Sequence, residues 1–381
     1  MKVLTCIVAP YWGGVHVVVE RTTPFFAAKG FTRIIALPIA DETMRLRLET
    51  AGASLIDWKP ARLRKTLNPL THLRYILRFW SDVGAIRKAI RAEAVDVVEV
   101  AGLLTLQPVV AAKLERRPLA WQFHSTLAPR PIRVAIATIA TRLAKVIMTS
   151  GKGMIARHGG LEGSQIPIVP FAAPIDIDRF CPDDKARTFA RAKMDYAPNE
   201  VVVGTLGNRG WQKRHEFIVK IANAMRDMPV RFAIVGAPVE TNNAYYQEAV
   251  VDALPAQALQ DKVAVLDQFA DAQVIMNGFD IFVLPSVAEG ISLVTAEALA
   301  TGLPVVASNV GSVPDLVDDS VGKLCDVDDL DAFVAGIRAL IAPESRPAIT
   351  SACRARALER TGSALAAEDH FKAYAIAAHA A

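Results

Sequence analysis

The stretch that decides the fold is residues 281–316, IFVLPSVAEGISLVTAEALATGLPVVASNVGSVPDL. It opens on a short apolar run and passes through a Pro-Ser turn into a loop that holds Glu289 and Gly290. A helical pattern then continues through Glu297 until Gly302-Leu303-Pro304 ends it, and a second apolar run leads into another glycine loop. This order of strand, helix and strand predicts a parallel sheet with helices packed against it.

The same alternation extends along the whole chain. The predicted strands of the first half are 3–9, 33–37, 95–100, 119–123 and 145–149, and those of the second half are 201–206, 232–235, 263–266, 281–284 and 305–307. A helical pattern over 15–29 follows the first strand, and an alanine-rich helix is expected over 363–381. Two successive series of this kind predict two doubly wound α/β domains. Their boundary is expected in 169–182, where prolines interrupt the pattern.

The composition is that of a protein with packed cores. The 381 residues are 52% apolar and 22% charged, which excludes a disordered, collagenous or disulfide-stapled chain. The four cysteines, Cys6, Cys181, Cys325 and Cys353, lie far apart and form no CxxC pair, so they predict neither disulfides nor a zinc site. We expect no cleaved leader and no membrane-spanning helix, and therefore a cytoplasmic protein.

Charge is distributed unevenly along the chain. Residues 1–170 carry 24 Lys and Arg against 11 Asp and Glu, a net charge of +13, whereas residues 171–381 carry −9. The excess concentrates in 59–91, where nine Lys and Arg accompany a single acid, Asp82, among leucines and aromatic residues. A basic amphipathic stretch of this kind predicts contact with an anionic membrane surface, and the alternative is an ordinary surface helix. No nucleic-acid-binding motif accompanies it, so no nucleic acid partner is expected.

Two acids in 281–316 have a spacing that suits ligand binding. Glu289 lies in the loop before the predicted helix, and Glu297 lies one to two turns into it if the helix begins near Ser292. Between them, the N–H groups of residues 290–294 are expected to face outward at a helix N-terminus, which is a site for a phosphate. A carboxylate beside it can accept hydrogen bonds from a ribose or sugar diol. The sequence therefore predicts a nucleotide diphosphate site at the carboxyl end of a parallel strand.

These residues resemble the Glu–x7–Glu motif of the retaining GT-B glycosyltransferases of family GT4. The likeness extends to Gly311-Ser312-Val313-Pro314-Asp315 at the end of the stretch. The other segments that resemble the family are Gly13-Gly14, Leu-Gly-Asn-Arg-Gly-Trp-Gln-Lys at 206–213, Val-Gly-Ala-Pro at 235–238, and His124 in WQFHST. The resemblance runs in order along most of the chain and is most specific in the second half.

The resemblance implies a GT-B fold, in which two Rossmann-like domains face a cleft. Residues 1–170 would bind the acceptor, residues 171–362 would bind the nucleotide sugar, and the helix over 363–381 would pack back on the first domain. The implied catalytic residues are His124, Lys213 and Glu289. The implied substrate-binding residues are Gly13, Gly14, Asn208, Arg209, Gly236, Gly290, Ile291, Ser292, Leu293 and Glu297.

The same resemblance assigns each side chain a role. Lys213 would neutralise the diphosphate leaving group, and Glu297 would hold the ribose hydroxyls. Glu289 and the amides after Gly290 would hold the transferred sugar, which His124 would contact from the other side of the cleft. The implied activity is that of a retaining hexosyltransferase that uses a UDP- or GDP-linked sugar, without a metal or other cofactor. Its acceptor would be a saccharide or lipid-linked saccharide in cell-surface polysaccharide or lipopolysaccharide synthesis.

The chain departs from the family pattern at four places, one of which is a hinge that reads Ala-Pro-Ile-Asp at 173–176 and is interpreted as a linker change without chemical meaning. The arginine that precedes the family's lysine falls on Asn208, and either Arg209 or Arg214 could replace it in holding the phosphates. Ser292 stands where the family has glycine, which adds a hydroxyl at the expected sugar position, and Val294 stands where the family usually has proline. Asp176-Ile177-Asp178 and Asp326-Val327-Asp328 spell the DxD metal motif of a different glycosyltransferase fold, but no metal site is expected from them.

Two other functions stay open from the sequence alone. Nucleotide-sugar epimerases share the two-domain fold, although they have no need of the basic stretch 59–91. A non-catalytic sugar- or lipid-binding protein is the second alternative, and Asn208 is the feature that favours it. Several site residues also have a purely structural interpretation: Glu289 and Glu297 as a helix cap and a surface acid, Lys213 as a solvated charge at a helix start, His124 as a core residue, and Gly13-Gly14 as a tight turn.

Overall fold

The computed structural model describes residues 1–63, 68–237, 243–267, 271–341 and 346–379. The chain divides into two compact units, which we call unit 1 (Met1–Pro174 with Gly362–Ala381) and unit 2 (Ile175–Thr361). The division after Pro174 lies inside the proline-containing segment 169–182. Arg64, Lys65 and Leu67 of the basic stretch, and Pro238 of the glycine motif, lie outside the described residues.

Unit 1 is built on a parallel sheet of seven strands. The strands are β1 (Lys2–Ile7), β2 (Thr32–Leu37), β3 (Ser54–Asp57), β4 (Val97–Ala101), β5 (Leu119–Phe123), β6 (Val146–Ser150) and β7 (Ile168–Phe171), in the order β3-β2-β1-β4-β5-β6-β7. The helices between them are α1 (Gly14–Thr22), α2 (Glu42–Thr50), α3 (Pro69–Ala92), α4 (Leu106–Leu114), α5 (Arg130–Leu143) and α6 (Gly153–His158). A core around Leu4, Val98 and Trp121 joins this sheet to its helices.

Unit 2 repeats the plan with six parallel strands. The strands are β8 (Val201–Leu206), β9 (Val230–Val235), β10 (Val263–Leu266), β11 (Ile281–Leu284), β12 (Val305–Ser308) and β13 (Gly322–Cys325), in the order β10-β9-β8-β11-β12-β13. Its helices are α7 (Asp184–Lys193), α8 (His215–Ala224), α9 (Asn243–Tyr246), α10 (Ala253–Ala256), α11 (Ala272–Asn277), α12 (Leu293–Ala300), α13 (Val313–Leu316), α14 (Leu330–Leu340) and α15 (Arg346–Arg360). The last helix of the chain, α16 (Ser363–His379), belongs to unit 1.

Both sheets have the strand order of the Rossmann fold. In each, the first strand lies in the interior, the next two extend to one side, and the later ones extend to the other. This confirms the predicted pair of doubly wound parallel-sheet domains. All ten predicted strands are present, because strands covered on both faces by helices read as continuous apolar runs.

Three strands were not predicted, and all three lie at sheet edges. The β3 residues are only partly buried, and β13 begins at a glycine, so neither shows a buried apolar run. Strand β7 contains Pro170, which pairs with Thr149 of β6. The prediction that prolines interrupt the pattern throughout 169–182 was therefore wrong for the first residues of this segment, which belong to β7. An edge strand tolerates a proline, which has no N–H group.

The helical pattern predicted over 15–29 is also divided in the structure. Helix α1 ends at Thr22, and two short 3₁₀ turns follow at Thr23–Phe25 and Ala27–Lys29. Pro24 lies in the first of these turns and has no N–H group to continue an α-helical ladder. The apolar periodicity therefore continues past the end of the helix.

A buried charge network joins α16 to the sheet of unit 1. The Arg33 guanidinium on β2 lies 3.0 Å from the Glu99 carboxylate on β4, and both side chains are fully buried. Arg33 also donates to the Tyr374 hydroxyl of α16 at 3.2 Å. Burial alone would raise the pKa of Glu99, but Arg33 and the surrounding hydrogen bonds hold that pKa below its ordinary value. The network fixes α16 by groups that have no access to water.

Tyr374→Phe is expected to destabilise unit 1 by about 1–2 kcal/mol, because the buried Arg33 loses a hydrogen bond that water cannot replace. Urea unfolding followed by circular dichroism measures the change. The matched control is Lys29→Ala, which removes the ion pair of Lys29 with Glu368 at the surface. That pair is more than half exposed at both ends, so its loss is expected to cost under about 1 kcal/mol. Equal losses of stability in the two variants would show that the buried hydrogen bond of Tyr374 contributes no more than the exposed ion pair.

Candidate active site

The predicted residues of unit 2 lie at the point where its strand order reverses. The chain runs outward from β8 through β9 to β10, then returns to place β11 on the other side of β8. At such a point the loops that leave neighbouring strands lead to opposite sides of the sheet, and open α/β sheets bind ligands in the crevice outside the carboxyl ends of these strands. A hydrogen bond from Val287 N to Gln212 O, at 2.9 Å, joins the loops after β8 and β11.

An ion pair between Lys213 and Glu289 lies in this crevice. Lys213 ends a short turn, Trp211–Lys213, after β8, and its Nζ lies 2.7 Å from Glu289 Oε1 in the loop after β11. The Glu289 side chain is 7% exposed and that of Lys213 is 20% exposed. An ammonium group has three N–H donors, so the bond to Glu289 leaves two for another anion. The structure thus brings together two predicted catalytic residues that are distant in sequence.

Glycines allow the loops after β8 and β9 to approach each other. A side chain on Gly236 would lie well under 3.0 Å from the carbonyl oxygen of Gly207. The backbone also joins the loops, because Gly207 N donates to Val235 O and Arg209 N donates to Ala237 O, each at 3.0 Å. Gly236 is therefore required by the close packing of the loop that carries Lys213.

A second glycine loop, after β12, supports Glu289. Gly311 has a positive φ of 55°, and a side chain there would lie under 3.0 Å from the backbone of Glu289. Ser312 Oγ donates to the Gly290 carbonyl at 2.7 Å and accepts from Ser292 N at 3.2 Å. Residues 311–312 thus fix the backbone on both sides of Gly290.

The entrance to α12 differs from the prediction in two details. The N–H groups of 290–294 do not all face outward, because Ser292 N donates to Ser312 and Leu293 N donates to Ile291 O at 2.9 Å. The Ser292 hydroxyl does not add a group at the surface of the site either. Its side chain is buried, and Oγ lies 2.8 Å from Thr295 Oγ1. The tight turn at the start of the helix is the physical reason for both corrections.

Glu297 lies one turn into α12 and is 8% exposed. The helix begins at Leu293, as the sequence predicted. A carboxylate that is nearly buried beside a ligand crevice can accept hydrogen bonds from neighbouring hydroxyls with little competition from water.

Both arginines proposed to replace the family's arginine at Asn208 have acidic partners. Arg209 pairs with Asp267, and its guanidinium lies 4.5 Å from the ring centre of Tyr246. Arg214 pairs with Glu216, and with Asp328 at 2.6 Å. Asn208 instead accepts a hydrogen bond from Gly210 N at 3.1 Å, which stabilises the turn before Lys213. The Asn208 side chain therefore shapes the loop.

His215 is a residue of this region that the sequence analysis missed. It is buried beside the loops after β8 and β9, and a side chain on Gly236 would lie 3.0 Å from its ring. Burial, with the positive charges of Lys213 and Arg209, lowers the pKa of His215 to about 3. The imidazole is thus neutral at pH 7 and adds no charge to the site. Its position directly after Lys213-Arg214 was the available signal.

The predicted residues of unit 1 lie at the carboxyl edge of the other sheet. Gly13 precedes α1 and Gly14 begins it, just after β1. A side chain on Gly14 would meet nothing within 4 Å, and one on Gly13 would meet only Tyr11 O at 3.9 Å. The surrounding protein therefore does not require glycine at either position.

His124 follows β5 and is partly exposed. Its ring lies near Gly102, which has a positive φ of 123° in the loop after β4. Burial lowers the pKa of His124 to about 4, although the charge of Glu99 opposes the shift. The imidazole is therefore neutral at pH 7, so it can donate or accept a hydrogen bond.

Across the described parts of the chain, no group of three or more His, Cys, Asp or Glu side chains is arranged to hold a metal ion. Asp328 of the second DxD sequence pairs with Arg214, and Asp176 of the first accepts a hydrogen bond from Arg179 N at 3.0 Å. In the same described residues, no helix combines the length and the apolar character that a membrane span needs.

Residues 197–343 match the model of the family described as glycosyl transferases group 1. The matched segment lies within unit 2. It contains all the predicted site residues of unit 2, from Asn208 to Glu297, whereas Gly13, Gly14 and His124 lie outside it.

Curated relatives match part of the chain. It is 29% identical over 241 residues to the lipopolysaccharide core biosynthesis mannosyltransferase LpsB of Rhizobium meliloti, covering 61% of this chain and 65% of LpsB. It is 28% identical over 165 residues to the putative glycosyltransferase EpsF of Bacillus subtilis, covering 43% of this chain and 41% of EpsF. The chain thus spans about two thirds or less of the length of these relatives.

A solved structure matches nearly the whole chain. The structure of Anabaena Alr3699/HepE in complex with UDP and glucose has a TM-score of 0.80 and 18% sequence identity, and the match covers 98% of this chain and 99% of that one. At this identity the likeness shows the fold, which is the GT-B fold that the sequence predicted.

Proposed function

We propose that the protein is a retaining glycosyltransferase that transfers a hexosyl group from a UDP- or GDP-linked sugar. The observation that carries the proposal is the Lys213–Glu289 pair at the strand-order switch of unit 2, in the segment that matches the group 1 model. The UDP and glucose bound to HepE support a nucleotide-sugar donor. The name of LpsB favours a role in cell-surface polysaccharide or lipopolysaccharide synthesis.

Unit 2 is proposed to bind the donor. Cleavage of a glycosyl–phosphate bond builds negative charge on the diphosphate, and fixed positive groups lower the barrier if they already face that charge. Lys213 is held by Glu289 and has two N–H donors left for the diphosphate. The N-terminus of α12 adds a favourable dipole. Glu297 is proposed to bind the ribose hydroxyls, and Glu289 the transferred sugar.

Unit 1, with its positive net charge, is proposed to bind a saccharide or lipid-linked saccharide acceptor. Gly13 and Gly14 would let a substrate approach the backbone of unit 1, since neither glycine is required by its protein neighbours. The neutral His124 would exchange hydrogen bonds with a sugar hydroxyl. A lipid-linked acceptor would place the reaction at the cytosolic face of a membrane.

The proposed step needs no metal and no protein nucleophile. The bond from the anomeric carbon to the diphosphate oxygen breaks, and a bond from the acceptor oxygen forms on the same face of the sugar. The acceptor proton passes to the departing phosphate oxygen, so the products are the glycoside and the nucleoside diphosphate. Attack on the same face retains the anomeric configuration.

The proposal is tested by incubating the protein with UDP- and GDP-sugars and a lipid-linked saccharide, with EDTA present, and following the products by NMR. We expect a glycoside with the anomeric configuration of the donor, and one nucleoside diphosphate released per bond formed. Turnover of the donor to an epimer without acceptor would show the epimerase alternative instead. Binding of donor without any product would indicate the non-catalytic alternative.

Glu297→Ala is expected to raise the donor KM about tenfold, because a ribose hydroxyl loses a charged hydrogen-bond acceptor. The kcat should change less, since the ribose is remote from the bond that breaks. Initial rates at varied donor concentration measure both constants. The donor KM of Glu297→Gln, which keeps the shape of the side chain and one acceptor oxygen, is expected to lie between those of Glu297→Ala and the wild type. An unchanged KM in Glu297→Ala would exclude a contact with the donor.

A further inference from the structure

Helix α3 of unit 1 has a face of large apolar side chains that the core does not cover. Its five members, Leu70, Leu73, Ile76, Leu77 and Trp80, are 50–71% exposed. With 3.6 residues per turn, these positions share one side of the helix. The buried residues Tyr75, Val83, Ile86, Ala89 and Ile90 occupy the opposite side. We call the exposed side the outer face of α3.

The C-terminal half of the same outer face is cationic. Arg87, Lys88 and Arg91 follow the apolar residues at helical spacing, and with Gly84 and Ala92 they line an open recess of about 450 Å³. A side chain on Gly84 would meet nothing within 4 Å, so the glycine leaves the recess open. The outer face thus changes from apolar to basic at Gly84.

The charges around the recess leave it positive. Glu115 of the loop after α4 accepts from both Arg87 and Arg91 at 2.7 Å. These contacts hold the pKa of Glu115 at about 2, so it stays ionised and fixes both guanidinium groups. Lys88 is exposed beside them. The one acid of α3 itself, Asp82, is buried and accepts from Ala61 N at 2.8 Å.

We propose that the outer face of α3 is a docking surface for an anionic lipid bilayer. The apolar half enters the boundary between headgroups and acyl chains, where a tryptophan such as Trp80 is favoured. The cations at the recess contact lipid phosphates. A second copy of the chain is a poorer occupant, because a two-fold contact across the outer face would bury the cations of each copy against apolar residues or other cations, with no exposed acid of α3 to match them.

This surface is distinct from the proposed transferase site and is tested without donor or acceptor. The full chain is sedimented with phosphatidylcholine vesicles with and without phosphatidylglycerol. We expect binding to the anionic vesicles that falls at high salt, with a blue shift of tryptophan emission that Trp80→Phe removes. Lys88→Gln is expected to weaken binding about fivefold, the equivalent of ~1 kcal/mol per cation. The double variant Ile76→Ser/Leu77→Ser is expected to weaken it at least about tenfold.

Two variants serve as matched controls. Leu46→Ser removes an exposed leucine of α2 in the same unit, and Lys220→Gln removes an exposed lysine of unit 2. Both are expected to bind vesicles like the wild type. The proposal is overturned if the wild type binds no vesicles, if neutral vesicles bind it equally, or if the controls lose as much binding as the α3 variants. It is also overturned if size-exclusion chromatography shows a dimer that Ile76→Ser/Leu77→Ser dissociates.

Discussion

Replacing Lys213 with alanine is expected to lower kcat/KM for glycosyl transfer by about 10²–10³-fold. The ammonium group is the fixed positive charge nearest Glu289 in the crevice, at 2.7 Å. Its loss removes stabilisation from the diphosphate as negative charge develops, and it also leaves the buried Glu289 carboxylate without its cation. Initial rates with saturating acceptor, together with thermal unfolding, measure the two consequences separately.

A double variant separates the role of Lys213 in catalysis from its role in structure. Lys213→Ala alone should destabilise unit 2 by about 1–3 kcal/mol, because a carboxylate is left unpaired in a mostly buried place. Adding Glu289→Gln removes that charge and should restore part of the stability, while activity stays low. Lys220→Ala, at an exposed lysine of α8, is the control and should change neither quantity. Recovery of activity in the double variant would mean that Lys213 acts only by neutralising Glu289.

Replacing Gly311 with alanine is expected to lower kcat/KM by about 10²-fold or more, although residue 311 has no proposed contact with substrate. The new Cβ would lie under 3.0 Å from the backbone of Glu289, so that backbone must move by roughly 1 Å to restore ordinary contact. Displacement of a substrate-positioning group by this distance can cost about 10²-fold in rate. The positive φ adds strain for any residue with a side chain.

Gly84→Ala is the matched control for Gly311→Ala. Gly84 lies in a helix without a positive φ, and a side chain there meets nothing within 4 Å. In a vesicle-free assay with a soluble acceptor analogue, its rate should equal that of the wild type. Circular dichroism of Gly311→Ala should show an intact fold, which distinguishes a displaced loop from unfolding. Wild-type kinetics in Gly311→Ala would show that the glycine loop does not position Glu289.

The interior strands of the fold could all be predicted from sequence, whereas three of the four edge strands could not. Interior strands such as β8 and β11 lie between layers of helices, so they appear in the sequence as continuous apolar runs. Edge strands pair on one side and are partly solvated, so β3, β7 and β13 have weak patterns. Pro170 in β7 was interpreted as the end of the strand pattern. A strand tolerates this proline only because it lies at the edge of the sheet, and local sequence does not show that position.

The candidate site could likewise be predicted from sequence only in part. Motif spacing predicted Glu289 as a site residue and the family resemblance implied Lys213, but their ion pair depends on how two loops from different strands meet. Ser292 was expected to present its hydroxyl, yet the turn into α12 directs it to Thr295. His215 has no motif of its own, and its position after Lys213-Arg214 was the one sequence signal; its burial could be learned only from the structure.

Charge counts also conceal where charges lie. Arg33 and Glu99 contribute to the balance of the basic half, but both are fully buried and pair with each other. A partner outside the protein meets neither of them. The cations of α3, in contrast, lie at the surface beside exposed apolar residues. Sequence predicted the basic amphipathic stretch, whereas the structure was needed to tell which of its side chains face outward.

We propose that the crevice of unit 2 holds a nucleoside diphosphate through Lys213. Isothermal titration calorimetry of the full chain with UDP, GDP and ADP, repeated in EDTA, measures this binding. We expect one bound UDP or GDP per chain, no effect of EDTA, and binding weakened at least about tenfold in Lys213→Ala. If none of the three nucleotides binds, or if Lys213→Ala binds as tightly as the wild type, Lys213 does not hold a nucleoside diphosphate in this crevice.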